Sequence, residues 1–260
     1  LSNNKIFVGE RSSNGNQGLY SLTSCKATIG KMEILSDVSV LDLYMDSENA
    51  LLGTINKKAY FAKAPFETKD WQQTQSNMNP FVYGVARAKN GKNYAGTDIG
   101  LYESKSDDLD FALISAANNP KLINAVKYFK DLDGDSLWIA TNDAGVSKYT
   151  ISNSSFQTVG SLSGTALQVF DIVMRSQNEV YIATPDGVYK WQGSSWSKIH
   201  EDTTNARSLA LAGTTLFVGK TSNGILSCNV GGSVTCNKLT SSVDVDNFVV
   251  RDLYYDESGL

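Results

Sequence analysis

The chain has 260 residues, enough to bury a sizeable core, and only 19% of them are charged, with a net charge of −4 and no basic block. A phosphate-binding surface needs clustered Lys and Arg, so nucleic acid is excluded as a natural partner. No apolar run approaches the ~20 residues of a membrane-spanning helix, so direct membrane insertion is not expected. Ser, Thr, Asn and Gly are spread along the whole length with four prolines, which predicts many short turns, a single domain over 1–260 and no interdomain linker. No secretion leader is recognisable, and Leu1 reads as the start of a processed or trimmed chain.

In chain order, the first predicted strand is the run "KIFVGE", which ends at Gly9 and is followed by a polar turn and the run "GLYSL". The same sentence is then repeated. "ALLGT" carries Gly53, "NYAGT" Gly96, "LWIAT" Ala140, "VYIAT" Ala183 and "LFVGK" Gly219. The steps between these small residues are 44, 43, 44, 43 and 36 residues. A near-constant period of this size points to propeller blades, each about 40–50 residues long.

The rest of each repeat supplies the other strands. An inner strand precedes the small residue, as in "VSVLDLYMD", "FVYGVARA", "LINAVKYF", "LQVFDIVM" and "RSLALAG". A third strand such as "GVYKW" follows it, and then a polar rim strand: "KMEILS", "DWQQTQ", "FALISA", "SFQTVG", "SWSKIH" or "TCNKLT". Alternation in these runs suits half-buried antiparallel strands, and no segment keeps a helical period. The small residue has a steric cause, because inner strands of neighbouring blades crowd together near the axis.

The two ends complete the pattern. "VDNFVVRDLYYDESG" has the character of an inner strand with nothing after it, and "NKIFVGE" is a second strand with nothing before it. Joined, they make one blade. The expected fold is therefore all-β: a six-bladed β-propeller of four-stranded antiparallel blades. Strand 249–255 pairs with strand 5–9 to close the ring and hide two open edges.

"LWIATNDAGVSKY", "VYIATPDGVYKW" and "NYAGTDIGLYES" resemble the two-component regulator propeller repeat, with its aromatic-aliphatic strand, Gly/Ala-Thr pair and Gly-Leu/Val-Tyr. The resemblance is good in three blades and fair in the rest, where Lys58-Ala59-Tyr60 lacks the Gly and Lys220 replaces the Thr. It implies a propeller with extracytoplasmic sensing or binding, and no catalytic residues.

Catalytic constellations are thin. The single His200 ends a rim strand and reads as a solvated histidine, since a general base needs a positioned partner and a concave site. No enzyme activity and no cofactor are expected. "DLDGDS" (Asp131, Asp133, Asp135) fails the calcium-loop pattern, because Gly134 stands at position four and Asn142 at position twelve; it reads as a hairpin turn. Aligning the inner strands places Asp42, Gly84, Ala125, Asp171, Ser208 and Asp252 at one position. The carboxylates of Asp42, Asp171 and Asp252 are candidates for a central cation. The preferred reading is that they accept hydrogen bonds from backbone amides of the next blade.

"SCNVGGSVTC" sets Cys228 and Cys236 opposite each other across a Gly-Gly turn, close enough for a disulfide. Such a bridge requires an oxidising, extracytoplasmic location: secreted, periplasmic or cell-surface. Cys25 is left over, and "NSS" at Asn153 is a glycosylation sequon in a eukaryotic setting. Ligand candidates come from loops entering the inner strands: Phe81, Tyr83, Asn119, Lys121, Phe170, Arg207, Phe248 and Arg251. Aromatic plates beside amides and cations suit a sugar or a peptide segment. Phe81, Tyr83, Arg207 and Arg251 are expected around one axial opening. The expected role is a binding module for a protein or glycan, with a sensor or assembly scaffold within a larger envelope protein as the alternative and a propeller enzyme of lyase, lactonase or glycosidase type ranked third.

Overall fold

The computed structural model describes residues 6–10, 18–22, 32–36, 38–46, 48–55, 58–64, 67, 70–75, 78, 81–105, 109–131, 134–222, 224–239, 250, 252 and 253. Their contacts cluster into two compact units, Leu1–Tyr128 and Phe129–Leu260. Among the described residues there is no α-helix; strands dominate, with short 3-10 turns at Gly164–Leu167 and Glu201–Thr203.

The first unit holds three antiparallel meanders. Strands β1 (Ile6–Glu10), β2 (Gly18–Leu22) and β3 (Met32–Ser36) form a three-stranded sheet. Strands β4 (Val40–Met45), β5 (Asn49–Thr54), β6 (Ala59–Lys63) and β7 (Trp71–Gln73) form the next, in chain order. Then come β8 (Val82–Arg87), β9 (Asn93–Thr97), β10 (Leu101–Ser104) and β11 (Phe111–Leu113). The division between units falls within β12 (Ile123–Asp131), which begins the sheet continued by β13 (Gly134–Thr141), β14 (Val146–Thr150) and β15 (Ser155–Thr158).

The second unit adds β16 (Asp171–Ser176), β17 (Glu179–Thr184), β18 (Gly187–Trp191) and β19 (Trp196–Lys198). Its last sheet is β20 (Ala206–Ala212), β21 (Thr215–Lys220), β22 (Ile225–Asn229) and β23 (Thr235–Lys238).

Gly53, Gly96, Ala140, Ala183 and Gly219 each lie in the second strand of a four-stranded sheet, as the periodicity predicts, and Gly9 lies in β1, the first strand of the three-stranded sheet. The all-β architecture of antiparallel sheets is as expected; among the described residues five sheets have four strands and one has three. The expected first strand of that sheet, 249–255, lies outside the described residues save Val250, Asp252 and Leu253, none of which is in a strand.

The second strands read as continuous apolar runs because both of their faces are covered. In β5, Ala50 and Leu52 pack with Val38, Ala62 and Trp71, while Leu51 faces the other way onto Phe61, Met78, Val82 and Val85. Close approach explains the glycines. A Cβ on Gly53 would stand 2.7 Å from the carbonyl oxygen of Val82, and one on Gly84 would stand 2.7 Å from the amide nitrogen of Val126. In the second unit, a Cβ on Gly219 would stand 2.5 Å from Val250 Cγ1.

The threonine after the small residue closes the following turn. The hydroxyls of Thr54, Thr97, Thr141 and Thr184 donate to the carbonyls of Lys58, Gly100, Gly145 and Gly187 at 2.8–2.9 Å. Three of them also accept an amide from inside the turn, as Gly187 N does to Thr184 Oγ1 at 3.1 Å. The Gly/Ala-Thr pair therefore combines a steric requirement with a local hydrogen-bonded turn.

Candidate functional site

The inner strands share a defect. Between Val40 and Asp42, Val82 and Gly84, and Ala206 and Ser208 the pairing slips by one residue, leaving Leu41, Tyr83 and Arg207 as bulge residues. Phe170 occupies the matching place before β16: its amide donates to Ala183 O at 2.9 Å, and Asp171 next to it pairs with Ala183. A bulge re-aims a side chain that regular pairing would bind into the sheet face. Three of the sequence-predicted ligand residues, Tyr83, Phe170 and Arg207, stand at this one position.

In the first unit, the rings of Phe81 and Tyr83 meet edge to face, with centroids 5.7 Å apart. Both are half-buried. In the second unit, Arg207 Cζ lies 4.2 Å from the centroid of the Phe170 ring, a stacked cation–π pair that is also half-buried. The stack holds the planar guanidinium flat against an aromatic face. Phe248 and Arg251 lie outside the described residues.

Asn119 does something the loop composition does not reveal. Its Oδ1 accepts from Leu101 N at 2.8 Å, and its Nδ2 donates to Leu101 O at 3.2 Å and Ile114 O at 2.8 Å. It ties its loop to the third strand, which points to a structural role. Thr74 and Thr203 do the same for Ala59 N and Val188 N. Lys121, two residues beyond Asn119, is exposed.

The acidic positions are occupied by backbone amides. Asp42 accepts from Leu43 N at 2.9 Å and from Val85 N at 2.8 Å; Asp171 accepts from Ile172 N at 2.8 Å and Leu209 N at 2.9 Å. Asp252 accepts from Leu253 N at 2.9 Å. Among the described residues, no group of three His, Cys, Asp or Glu side chains is placed to hold a metal ion. Asp131 and Gly134 bound the β12–β13 hairpin, where the sequence places a turn.

His200 lies just after the rim strand β19, where the sequence places it. It is half-buried and caps the turn Glu201–Thr203, its Nδ1 accepting from Asp202 N at 3.2 Å. Lys220, which replaces the turn threonine, is buried and donates from Nζ to Asp202 O at 2.9 Å. Burial lowers its pKa, with the nearby Asp202 pulling the other way.

Cys228 and Cys236 are register partners in β22 and β23 and form a disulfide, their Cα atoms 4.0 Å apart. Cys25 lies outside the described residues. Asn153 sits exposed at a hairpin tip, where its Oδ1 accepts from Ser155 Oγ at 2.7 Å. A depression of about 200 Å³ lies between the β13–β14 turn and the loop after β15, lined by residues such as Ala144, Val159, Leu162 and Leu167.

No family model matches the chain. No curated protein matches it either. Among solved structures, it is similar to the extracellular domain assigned as the hybrid two-component system BT4673 from B. thetaiotaomicron. The TM-score is 0.71 at 14% identity, over 99% of this chain and 35% of that one. A second structure, the extracellular domain assigned as the one-component system BT4673 from the same organism, gives a TM-score of 0.70 at 15% identity over 98% and 35%. The chain thus spans about a third of the length of either, and at this identity the likeness is one of fold.

A structural disulfide persists in an oxidising compartment, which agrees with an extracytoplasmic location. No helix among the described residues is long and apolar enough to cross a membrane.

Proposed function

We propose that the chain is an extracytoplasmic binding module that recognises a protein or glycan through the loops entering its inner strands. The observation that carries this reading is the stack of Arg207, at the bulge of β20, on Phe170, at the matching place before β16. Aromatic faces bind the apolar side of a sugar ring or a peptide side chain, and a guanidinium held flat on one offers directional donors at little entropic cost. Tyr83 stands at the same bulge position within the first unit, beside Phe81.

A second reading, a sensor domain within a larger envelope protein, is favoured by the fold likeness to extracellular domains of signalling systems of which this chain spans 35%. Under both readings we take the repeats as two-component regulator-type blades and the six sheets as one ring, with 249–255 as the missing inner strand. Val250 supports this, since its amide donates to Lys220 O at 3.0 Å just as Val169 N donates to Thr141 O at 2.8 Å two repeats earlier. Deleting 246–260 should then cause aggregation or a large fall in melting temperature. A truncated chain that melts like the parent removes the ring from the proposal.

The binding reading is tested with the full chain on a glycan array and against envelope extract, beside Phe170→Ala and Arg207→Ala. Loss of the stack should weaken binding by roughly 3- to 30-fold. A ligand held equally well by both variants refutes the assignment.

A further inference from the structure

Three exposed apolar side chains gather at one end of the β8–β11 sheet: Ile99, 43% exposed, Leu113, 44%, and Leu122, 39%. The backbone brings them together. Leu122 N donates to Asp98 O at 3.0 Å, next to Ile99, and Leu113 Cδ1 lies against Gly100, where a Cβ would stand 2.9 Å from it.

The same local geometry recurs in the β16–β19 sheet and serves as an internal control. There Asn205 N donates to Pro185 O at 2.8 Å, as Leu122 N does to Asp98 O. Ile199 N donates to Val188 O at 2.9 Å, as Ile114 N does to Leu101 O at 3.0 Å. Through these bonds Ile99 corresponds to Asp186, Leu113 to Lys198 and Leu122 to Asn205. All three positions are polar in one sheet and aliphatic in the other.

Leu122 also sits in a backbone conformation that does not suit it. Its φ is 50°, in the left-handed region where Asn205 has 62°. Asparagine tolerates this region, whereas a leucine is penalised by its Cβ and here recovers little by burial. A strained, exposed leucine flanked by two further exposed aliphatics lowers stability and solubility, and such a feature marks a site of use.

We infer that this patch docks a short segment of a partner protein presenting an apolar side chain beside a carboxylate. The aliphatic trio receives the apolar side chain, and exposed Lys121, adjacent to Leu122, is the complementary charge. Three side chains fall well short of the ~800 Å² per partner that a stable dimer buries, which argues for a short segment over a second copy. The inference does not rest on the Phe170–Arg207 pair.

The test selects a displayed library of random peptides on the full chain and on Leu122→Asn, with Ile99→Asp as a second variant. The wild-type chain should enrich peptides with a large aliphatic or aromatic residue next to Asp or Glu. Both substitutions should weaken the selected peptides about tenfold or more. Leu122→Asn should melt at or above the parent, because Asn fits the left-handed backbone. If it melts lower, Ile99→Asp carries the test, since Asp186 shows that this turn accommodates a carboxylate. No enrichment, or peptides bound equally by both variants, overturns the inference. Peptides indifferent to Lys121→Glu, or self-association of the chain that Leu122→Asn abolishes, overturn the partner assigned here.

Discussion

Asp171 Oδ2 accepts a hydrogen bond of 2.9 Å from the amide of Leu209, thirty-eight residues further along, while its other oxygen binds the amide of Ile172. Asp171 is buried, so each bond is made away from competing water. It joins the inner strands of two successive sheets within the second unit. Removing the carboxylate leaves two backbone donors to be satisfied elsewhere. Hydrogen bonds to a charged group contribute about 1.5–3 kcal/mol each, so Asp171→Ala should cost about 3 kcal/mol or more. Urea unfolding measures this directly; a variant as stable as the parent means that the clasp contributes nothing.

Gly84 and Gly232 make a matched pair for substitution. A Cβ on Gly84 would press on backbone, 2.7 Å from Val126 N and 2.9 Å from Ala125 Cα, and backbone in a paired strand cannot move aside. Gly84→Ala should therefore lower stability by about 1–3 kcal/mol or more. Nothing lies within 4 Å of a Cβ on Gly232, so Gly232→Ala should be near neutral. Thermal melts of the two, side by side, check the crowding.

The disulfide closes a short loop, its cysteines separated by eight positions in sequence. Chain-entropy arguments give such a loop about 2–3 kcal/mol. Cys228→Ser should cost about that much more against the oxidised parent than against the reduced one, where only the burial of the Ser hydroxyl in the apolar cluster remains. Intact mass of protein purified without reductant should fall two hydrogens below the reduced value. Two free thiols at Cys228 and Cys236 would contradict both the bridge and the extracytoplasmic location.

Alkaline pH should destabilise the fold. Burial, then a hydrogen bond to Asp186, pushes Tyr189 up to about 12 from 10.0, and burial with hydrogen bonds to Asp46 and Glu179 raises Tyr44 and Tyr181 as well. The native state holds these protons more tightly than the unfolded chain does. Their contribution is thus complete below about pH 10 and declines as pH rises from there through the folded values. Phenolate absorbance should show tyrosines that ionise only well above pH 10, late and together with loss of native circular dichroism. Normal titration of every tyrosine in the folded protein would refute this.

The sequence by itself determined the strands. Gly53, Gly96, Ala140, Ala183 and Gly219 are spaced by the repeat, and their small size is a steric demand that composition alone reveals. The disulfide was equally legible, because a Gly-Gly turn and period-two alternation leave Cys228 opposite Cys236. So was the preference for amide contacts at Asp42 and Asp171.

What only the tertiary structure decided depends on one-residue offsets and on partners distant in sequence. The bulges at Tyr83 and Arg207 are slips in pairing that no residue type announces, yet they redirect the two side chains. Asn119 reads as one more loop amide until its three bonds to Leu101 and Ile114 appear. His200 reads as a plain rim residue, and that it caps the turn Glu201–Thr203 appears only in the fold. The apolar trio of Ile99, Leu113 and Leu122 is dispersed over 24 positions of sequence. Only the folded turn and loop, joined by the Leu122–Asp98 bond, bring it together: periodicity encodes which residues face a strand's neighbours, but not which loop ends meet in space.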